Sequence, residues 1–424
     1  MSRISSVLFL LLASFVSAAL VTSSLDAVAQ DKKKDDKKDV KDDKKDPKKE
    51  EKKEEKKEPF KPDPAQQELK PDEKEKSVWV YDVAFGADGK SVAAAYRNHS
   101  VKIWDLAKKN ALILKGPEQR GLGDFKSILY ANNHVFVGTG KLTKDYENLK
   151  KKDKKKESVK EKESVKQKEI VKDKEKIKEK EKEVPIREGE IKVWDAKTGK
   201  PGKSLLGHLD DIESLAISKD GKFIASASRD NTVKIWDAGS GKDIQTLKGH
   251  NDAVTSVSFS PDGKQVVTTS LDKTVRVWDI AGAKEVANFK VERMVEVKDP
   301  KGKISQVKEI GREFTHALFS NDGKKVFAGN LEGVVKIYDV EDKKEMKELK
   351  GHDGILAFAL SPDGSKLATG GWDQTIKIWN TADGKELRTI KAHLGSVTSL
   401  SFSPDGQWLA SGSTDGMVKI WSVK

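Results

Sequence analysis

The strongest constraint on this chain is a short mark that returns at nearly regular intervals: a basic residue, an apolar residue and an aromatic ring. Its aromatic members are Trp104, Trp194, Trp236, Trp278, Tyr338, Trp379 and Trp421. Neighbouring members are 90, 42, 42, 60, 41 and 42 residues apart. The two long intervals match the others once residues 141–188 and 291–312 are treated as insertions. Seven repeats of about 42 residues are therefore predicted, and such a period is typical of repeat architectures.

Each repeat has the pattern of four short strands. In the fourth repeat, apolar and β-branched runs cover residues 254–259, 265–269, 274–278 and 286–289, with turn residues between them. Asp-Gly dipeptides, which favour tight turns between strands, begin at Asp88, Asp220, Asp262, Asp322, Asp363 and Asp405. One such unit cannot bury both faces of its sheet, so neighbouring units are expected to stack.

Two dipeptides recur with the repeats. Gly-His occurs at Gly207-His208, Gly249-His250 and Gly351-His352, with Ala392-His393 as a variant, and Trp-Asp begins at Trp104, Trp194, Trp236 and Trp278. With these motifs the chain resembles the WD40-repeat family over residues 66–424. The resemblance implies an all-β fold, a seven-bladed β-propeller with one four-stranded sheet per blade.

The two ends of the chain predict how the ring closes. Lys424 lies just after the third strand of the last repeat, so the last blade lacks a fourth strand. Residues 67–70 resemble residues 245–248, which belong to a predicted fourth strand. We therefore expect the N-terminal segment to complete the last blade.

Four repeats share a polar quartet in one register. Its members are His208, Ser226, Asp230 and Trp236; His250, Thr268, Asp272 and Trp278; His352, Thr369, Asp373 and Trp379; and His393, Ser411, Asp415 and Trp421. The set Ser/Thr, His and Asp is also found in acyl-transfer enzymes, but four copies at one register favour a structural role. The resemblance implies a hydrogen-bonded tetrad, Asp to His to Ser/Thr to indole, inside each blade. Repeats one, two and five have Asn98, Glu188 and Glu332 in place of Asp, and are expected to rely more on packing.

The two insertions are predicted to decorate one face of the ring. Residues 141–188 occupy a loop between second and third strands, and residues 291–312, predicted as a protruding hairpin, occupy a crossover between blades. The resemblance implies that this face is a frequent docking surface. The residues just before each turn Asp, or its equivalent, are predicted to point there as candidate partner contacts: Arg97, Arg229, Leu271, Leu331, Trp372 and Thr414.

The N-terminus has the pattern of a secretory signal. Arg3 precedes an apolar run over residues 7–21, and Ala27-Val28-Ala29 forms a small-residue cleavage site. Residues 1–29 are therefore predicted as a signal peptide, and the protein is expected to be secreted or periplasmic, without a membrane span after cleavage. A retained anchor stays an alternative, although the run is shorter than the roughly 20 residues of a bilayer span.

Two tracts rich in Lys, Asp and Glu stand out from the repeats. Residues 30–65 lack the apolar side chains needed to offset the entropy of ordering, and are predicted to be disordered. Residues 141–188 contain Glu and Lys at i,i+3 spacing, such as Glu157 with Lys160, which favours a solvated helix, and Pro185 ends it. Tyr146 is the one aromatic residue of this tract, so base stacking is poorly served and nucleic acid is not predicted as a partner.

Composition excludes several chemistries. The chain has no cysteine, so it has neither disulfides nor thiol nucleophiles nor cysteine-held metals. No catalytic, metal or cofactor motif is predicted. The leading hypothesis is a monomeric, exported, non-catalytic scaffold that binds a protein or peptide. Two alternatives stay open: an enzyme or ligand-binding propeller that uses the central channel, and a binder of an anionic surface polymer through the Lys-rich tracts.

Overall fold

A computed structural model describes residues 63–70, 78–115, 125–142, 187–290, 292–298, 304–310 and 313–424. Regular structure in these residues is entirely β, and no helix there could cross a membrane. The predicted all-β, seven-bladed propeller is confirmed. The predicted signal at 1–29 and nearly all of the predicted linker at 30–65 lie outside the described residues.

The first four blades each take four consecutive strands. Blade one is β2 (Val80–Phe85), β3 (Ser91–Tyr96), β4 (Ser100–Asp105) and β5 (Asn110–Lys115). Blade two is β6 (Ser127–Ala131), β7 (His134–Leu142), β8 (Arg187–Asp195) and β9 (Leu205–His208). Blade three is β10 (Ile212–Ile217), β11 (Phe223–Ser228), β12 (Thr232–Asp237) and β13 (Asp243–Lys248). Blade four is β14 (Val254–Phe259), β15 (Gln265–Ser270), β16 (Thr274–Asp279) and β17 (Lys284–Lys290).

A two-stranded sheet precedes the remaining blades. It is β18 (Glu292–Lys298) and β19 (Ile304–Ile310). Blade five is β20 (Phe314–Phe319), β21 (Lys325–Asn330), β22 (Val334–Asp339) and β23 (Lys344–Lys350). Blade six is β24 (Ile355–Leu360), β25 (Lys366–Gly371), β26 (Thr375–Asn380) and β27 (Glu386–Lys391). Blade seven is β28 (Val397–Phe402), β29 (Trp408–Ser413), β30 (Val418–Ser422) and, from the other end of the chain, β1 (Gln67–Leu69).

All neighbouring strands within a blade are antiparallel, and this alternation defines two faces of the ring. The upper face carries the turns between second and third strands and the connections from each fourth strand to the next blade. The lower face carries the turns between first and second strands and between third and fourth strands. The six Asp-Gly turns singled out from the sequence join first and second strands and lie on the lower face. Their glycines have φ between 62° and 74°, a left-handed conformation that glycine adopts without strain.

The hydrophobic core is divided among the seven seams between blades. Each of seven clusters of buried apolar side chains draws its members mainly from two adjacent blades. The cluster between blades three and four, for example, joins Ala225 and Val233 to Val254 and Val266. Because a cluster also joins blades seven and one, the sheets form a closed ring and no blade is left with an open face.

The N-terminal strand completes blade seven, as the sequence predicted. β1 pairs with β30 in the register Gln67↔Ile420 to Leu69↔Val418. Leu69 is buried in the cluster shared by blades seven and one. Glu68 lies 3.5 Å from the ammonium of Lys419, whose side chain is almost fully buried. Segments from opposite ends of the sequence thus share one sheet.

The insertion in blade two begins later and ends earlier than the sequence predicted. β7 and β8 remain paired as far as Lys141↔Glu188 and Leu142↔Arg187, so these four residues are strand and not part of the insertion. Residues 143–186, on which the predicted helix falls, lie outside the described residues. Glu188, which occupies the register of the tetrad Asp, is correspondingly in a ladder and not in a turn.

Side chains of the innermost strands tie consecutive blades together. In blades seven, one, two and three, the side chain at one position of the first strand accepts a hydrogen bond from the backbone N–H of the first strand of the next blade. The pairs are Ser399 with Val83 N (3.0 Å), Asp82 with Ile128 N (2.7 Å), Ser127 with Leu215 N (3.0 Å) and Ser214 with Val257 N (3.3 Å). Asp82 is the carboxylate of this series, and it also accepts from the hydroxyl of Ser399.

Burial raises the pKa of Asp82 to about 6, although its hydrogen bonds with Ser399 and Ile128 act in the opposite direction. A folded pKa above the unfolded value means that the protonated carboxyl favours the fold. Its contribution is therefore complete below about pH 4 and is lost as the pH rises through 6. His316, at the same position of blade five, opposes this trend, since burial lowers its pKa to about 4.

Asp82→Asn is expected to remove this pH dependence. The free energy of unfolding of the variant, relative to the native chain, should rise by about 3 kcal/mol between pH 4 and pH 7, because a displacement of two pKa units corresponds to that amount. The difference is measured by denaturant unfolding of both chains across this range. A difference that stays constant with pH would show that the Asp82 carboxyl titrates normally.

Candidate functional site

The polar quartet of blade three is brought together as a linear chain of hydrogen bonds. Asp230 Oδ2 lies 2.8 Å from His208 Nδ1, and His208 Nε2 lies 2.7 Å from Ser226 Oγ. The indole N–H of Trp236 donates to the same Ser226 Oγ at 2.8 Å. These contacts fix the roles: the imidazole donates from Nδ1 to the carboxylate, and its Nε2 accepts the serine proton.

The same chain recurs in blades four, six and seven. The His Nε2 to hydroxyl distance is 2.7 Å in each, and the indole to hydroxyl distance is 2.8–2.9 Å. The His Nδ1 to carboxylate distance is 2.9 Å in blades four and six and 3.0 Å in blade seven. All sixteen residues singled out from the sequence are therefore assembled into four sets.

Charge within the tetrads is fixed by the same contacts. Burial alone would raise the pKa of Asp230, but the hydrogen bonds that it accepts from His208 and from the hydroxyl of Thr232 lower it to about 2. The pKa values of Asp272 and Asp373 are lowered for the same reasons, and that of Asp415 is lowered by hydrogen bonds from His393 and from the backbone of Met417 and Leu394. Each carboxylate is therefore ionised at neutral pH and holds its histidine in one orientation.

The tetrad hydroxyls are buried and hydrogen-bonded within the blade. Ser226, Thr268, Thr369 and Ser411 each have 0% of their surface exposed. Each hydroxyl oxygen already accepts from an indole and lies against an imidazole, so a substrate carbonyl has no approach to it. A Ser-His-Asp set of this kind joins the second strand, the third strand and the incoming connection of a blade.

The other three blades lack this chain. Ala94, Val137 and Ala328 stand in the register of the tetrad hydroxyl, opposite the third-strand lysines Lys102, Lys192 and Lys336. As a result, Trp104 Nε1 and Tyr338 Oη are buried without a hydrogen-bond partner among the described residues. Burial also raises the pKa of Tyr338 above its usual range.

A cation from the third strand lies beside the aromatic ring of most blades. The ammonium of Lys234 lies 5.8 Å from the ring centre of Trp236, and the corresponding distances in blades one, four, six and seven are 5.8–6.0 Å. A carboxylate on or beside the fourth strand often neutralises it: Arg276 binds Glu285 at 2.7 Å and Lys377 binds Glu386 at 2.9 Å. In blade seven, that carboxylate is Glu68 of β1.

On the upper face, the candidate contacts are arranged as pairs. The backbone N–H of each donates, at 2.9–3.1 Å, to the carbonyl of the residue that precedes the first strand of its blade. The pairs are Arg97 with Trp79, Arg229 with Asp211, Leu271 with Ala253, Leu331 with Glu313, Trp372 with Gly354 and Thr414 with Ser396. In blade one the guanidinium of Arg97 also lies 4.6 Å from the ring centre of Trp79, a cation–π contact.

The structure corrects two of these six assignments in part. Leu331 is only 4% exposed, because its turn lies against the segment that enters β20 at Glu313, and it is not available as a surface contact. Trp372 is partly buried and not fully exposed as predicted, since its indole lies over Gly354. Arg97 is exposed, and Arg229, Leu271 and Thr414 are partly exposed.

Arg229 belongs to a partly buried charge network at the seam of blades two and three. Glu213 binds the ammonium of Lys126 at 2.5 Å and also binds the guanidinium of Arg229. Burial would raise the pKa of Glu213, but these two cations lower it overall. Arg229 thus has a role inside the ring in addition to any role at the surface.

Two upper-face residues were missed by the sequence interpretation. Leu209 and Leu394 directly follow tetrad histidines and are 69% and 67% exposed. Their backbone N–H groups donate to the tetrad carboxylates Asp230 and Asp415, at 2.9 and 3.0 Å. The sequence did contain a signal for them, namely a leucine directly after a repeated histidine. The backbone at that position is held by the tetrad, whereas the side chain faces solvent.

The closed ring of four-stranded blades with recurrent tetrads defines a repeat-built β-propeller. A family profile described as WD40, WD domain, G-beta repeat, matches residues 71–105, 199–237, 241–279, 343–380 and 384–422. Together with the seven-bladed ring, these five repeats show that the chain belongs to the WD40-repeat family. Comparison with curated proteins gives no match.

The matched segments also explain the closure of the ring. The segment 199–237 contains the fourth strand of blade two and the first three strands of blade three. The family repeat is thus offset by one strand from the blade, the same offset that leaves the last blade to be completed by β1. Blades two and five, whose third strands lie outside the matched segments, lack the tetrad; one insertion lies within blade two and the other just before blade five.

Proposed function

We propose that this protein is a non-catalytic scaffold that binds a protein or peptide partner on its upper face. The WD40 propeller is a fold that commonly mediates protein interactions. The observation that carries the proposal is the presentation of Leu209 and Leu394: two largely exposed apolar side chains whose backbone is held by buried tetrads. A contact held rigid before binding loses little conformational entropy when a partner binds.

The surroundings of Leu394 extend this surface. Gln374, next to the tetrad Asp of blade six, accepts from the backbone N–H groups of Ala392 and His393. The turn that carries Trp372 is therefore bonded to the connection that carries Leu394. Trp and Arg are frequent among the residues that dominate binding energy. The proposed interface therefore extends from Leu209, between blades two and three, past Arg97 of blade one to Leu394 and Trp372 at blades seven and six.

The tetrads support a structural rather than a catalytic role, because their hydroxyls are fully buried and already bonded. Export from the cytoplasm, to the periplasm or the exterior, is part of the proposal and is supported by the signal pattern of residues 1–29. We propose that the charged tracts at 30–65 and 143–186 are then spacers, whereas a polymer-binding protein would depend on them.

The proposal is tested by photocrosslinking in the native host. A crosslinking amino acid at position 209 or 394 is expected to capture the same partner in the extracytoplasmic fraction, and Leu394→Asp should lower recovery through position 209 at least tenfold. Position 387 is the matched control, because Leu387 is also exposed but lies on an outer strand. Equal capture from positions 387 and 394, or recovery that depends only on the charged tracts, would contradict docking on the upper face.

A further inference from the structure

A cleft opens on the lower face, at the seam of blades two and three. Its volume is about 530 Å³, which lies within the range of roughly 300–1,000 Å³ found for small-molecule sites. One wall is formed by blade two, from His134 to Phe136 and around Lys203. The other wall is formed by the two lower turns of blade three, with Lys222 and residues 237–241. None of these residues belongs to a tetrad or to the upper face.

The cleft exists because the fourth strand of blade two is interrupted. In blade three the fourth strand pairs with the third from Trp236↔Asp243 to Thr232↔Lys248. In blade two, regular pairing begins only at Ile191↔Leu205, preceded by an isolated bridge at Pro201. Proline has no N–H to donate to a ladder. The N–H of Gly202 still donates to the carbonyl of Val193 at 2.8 Å. The chain therefore leaves the sheet only after Gly202 and rejoins it at Leu205, so Val193 has β7 on one side and only this irregular segment on the other.

The cleft combines an apolar floor with cations at its rim. Phe136 and Leu205 are buried members of the core between blades two and three, and their edges line the cleft. Lys203 and Lys222 are both exposed and line opposite walls. The ammonium of Lys222 lies 3.3 Å from the exposed carboxylate of Asp220, a surface ion pair that contributes little to stability and can exchange for a bound anion. The carboxylate of Asp237 also lines the cleft, but its Oδ1 accepts the backbone N–H and the hydroxyl of Ser240 within its own turn.

We propose that this cleft binds an amphiphilic anion. A flat apolar body would lie against Phe136 and Leu205, and the anionic group would lie between Lys203 and Lys222. The apolar floor supplies affinity through burial of the ligand surface, and the two ammonium groups supply preference for negative charge. This site is independent of docking on the upper face.

Two dyes of matched shape test the proposal: 1-anilinonaphthalene-8-sulfonate, and N-phenyl-1-naphthylamine, which lacks the sulfonate. Fluorescence titration of the full chain is expected to show one saturable site that binds the sulfonate at least tenfold more tightly than the neutral dye. The double variant Lys203→Glu, Lys222→Glu should weaken binding of the sulfonate at least tenfold and change binding of the neutral dye less than threefold. Lys219→Glu is the matched control, because Lys219 is exposed in the same turn as Gly221 but does not line the cleft.

A second variant tests the location without changing charge. A side chain at Gly202 would begin at an ordinary contact distance of 3.5 Å from Val193, and its φ is not in the left-handed region. Gly202→Phe is therefore expected to fill the cleft, abolish saturable binding of both dyes and leave the melting temperature nearly unchanged. Binding of the sulfonate that survives Gly202→Phe, or that is equal for both dyes, would overturn the proposal, as would the absence of a saturable site in the native chain.

Discussion

Removal of residues 1–76 is expected to lower the melting temperature by about 10 °C or more, although these residues precede every strand of blades one to six. The deletion takes β1 from blade seven. Leu69 then no longer fills the core between blades seven and one, which costs about 2 kcal/mol of burial. The ammonium of Lys419 loses Glu68 but keeps its hydrogen bond to the carbonyl of Ala392, and the lost pairing of β1 with β30 removes hydrogen bonds worth about 1 kcal/mol each. At roughly 2–4 °C per kcal/mol for a domain of this size, the sum gives the expected shift.

Removal of residues 1–58 is the matched control and should leave the melting temperature within about 2 °C of the native value, because β1 is retained. A single substitution makes the same test within the full chain. Leu69→Asp should reproduce most of the loss, whereas Lys70→Asp, at the exposed neighbouring position, should have little effect. Equal melting temperatures for the two truncated chains would show that β1 does not hold the ring closed.

The second large effect on stability is expected from removing the hydroxyl of a tetrad in one blade, or adding one at the same register in a blade that lacks it. Ser226 in blade three and Ala94 in blade one occupy the same register, each opposite the third-strand lysine of its blade. Ser226→Ala should lower the free energy of unfolding by about 2–3 kcal/mol, because it leaves the indole of Trp236 and the imidazole of His208 without their shared partner. Ala94→Ser should raise it by about 1 kcal/mol, since it offers an acceptor to the unpartnered indole of Trp104.

A double-mutant cycle identifies the source of the second change. In a Trp104→Phe background the indole N–H is absent, so Ala94→Ser should then give no stabilisation. Denaturant unfolding of the four chains in this cycle supplies the coupling energy. A gain from Ala94→Ser that persists without the indole would assign the effect to packing, and a neutral Ser226→Ala would contradict the bracing role of the tetrads.

The architecture of this protein was accessible from the sequence because it is periodic. Seven aromatic marks predicted seven blades, and the similarity of residues 67–70 to 245–248 predicted that β1 would complete the last one. Those signals are local, since each depends on residues within one strand or turn. The same regularity placed the tetrad residues in one register, from which the structure forms four hydrogen-bonded chains.

The misses concern features that depend on neighbouring blades or on where a ladder ends. The burial of Leu331 and the pairing of Arg229 with Glu213 involve segments that the chain brings together only in the folded ring. The insertion in blade two was placed two residues too wide at each end, because Lys141 and Glu188 have the composition of the charged tract yet remain in the ladder. A change to charged residues shows where the chain becomes exposed to solvent, but the hydrogen bonds between two strands can continue past that point.

The paired ends of β7 and β8 make blade two a suitable place to insert a foreign protein segment. Leu142 and Arg187 face each other across one strand spacing, about 5 Å, and this is the separation that a segment inserted between them has to match. Any foreign module whose own termini meet at that separation can replace residues 143–186 as a chimera. Strands β7 and β8 would then carry the inserted module on the upper face, with Leu209 and Leu394. A reporter inserted there would therefore respond to a partner that binds this face.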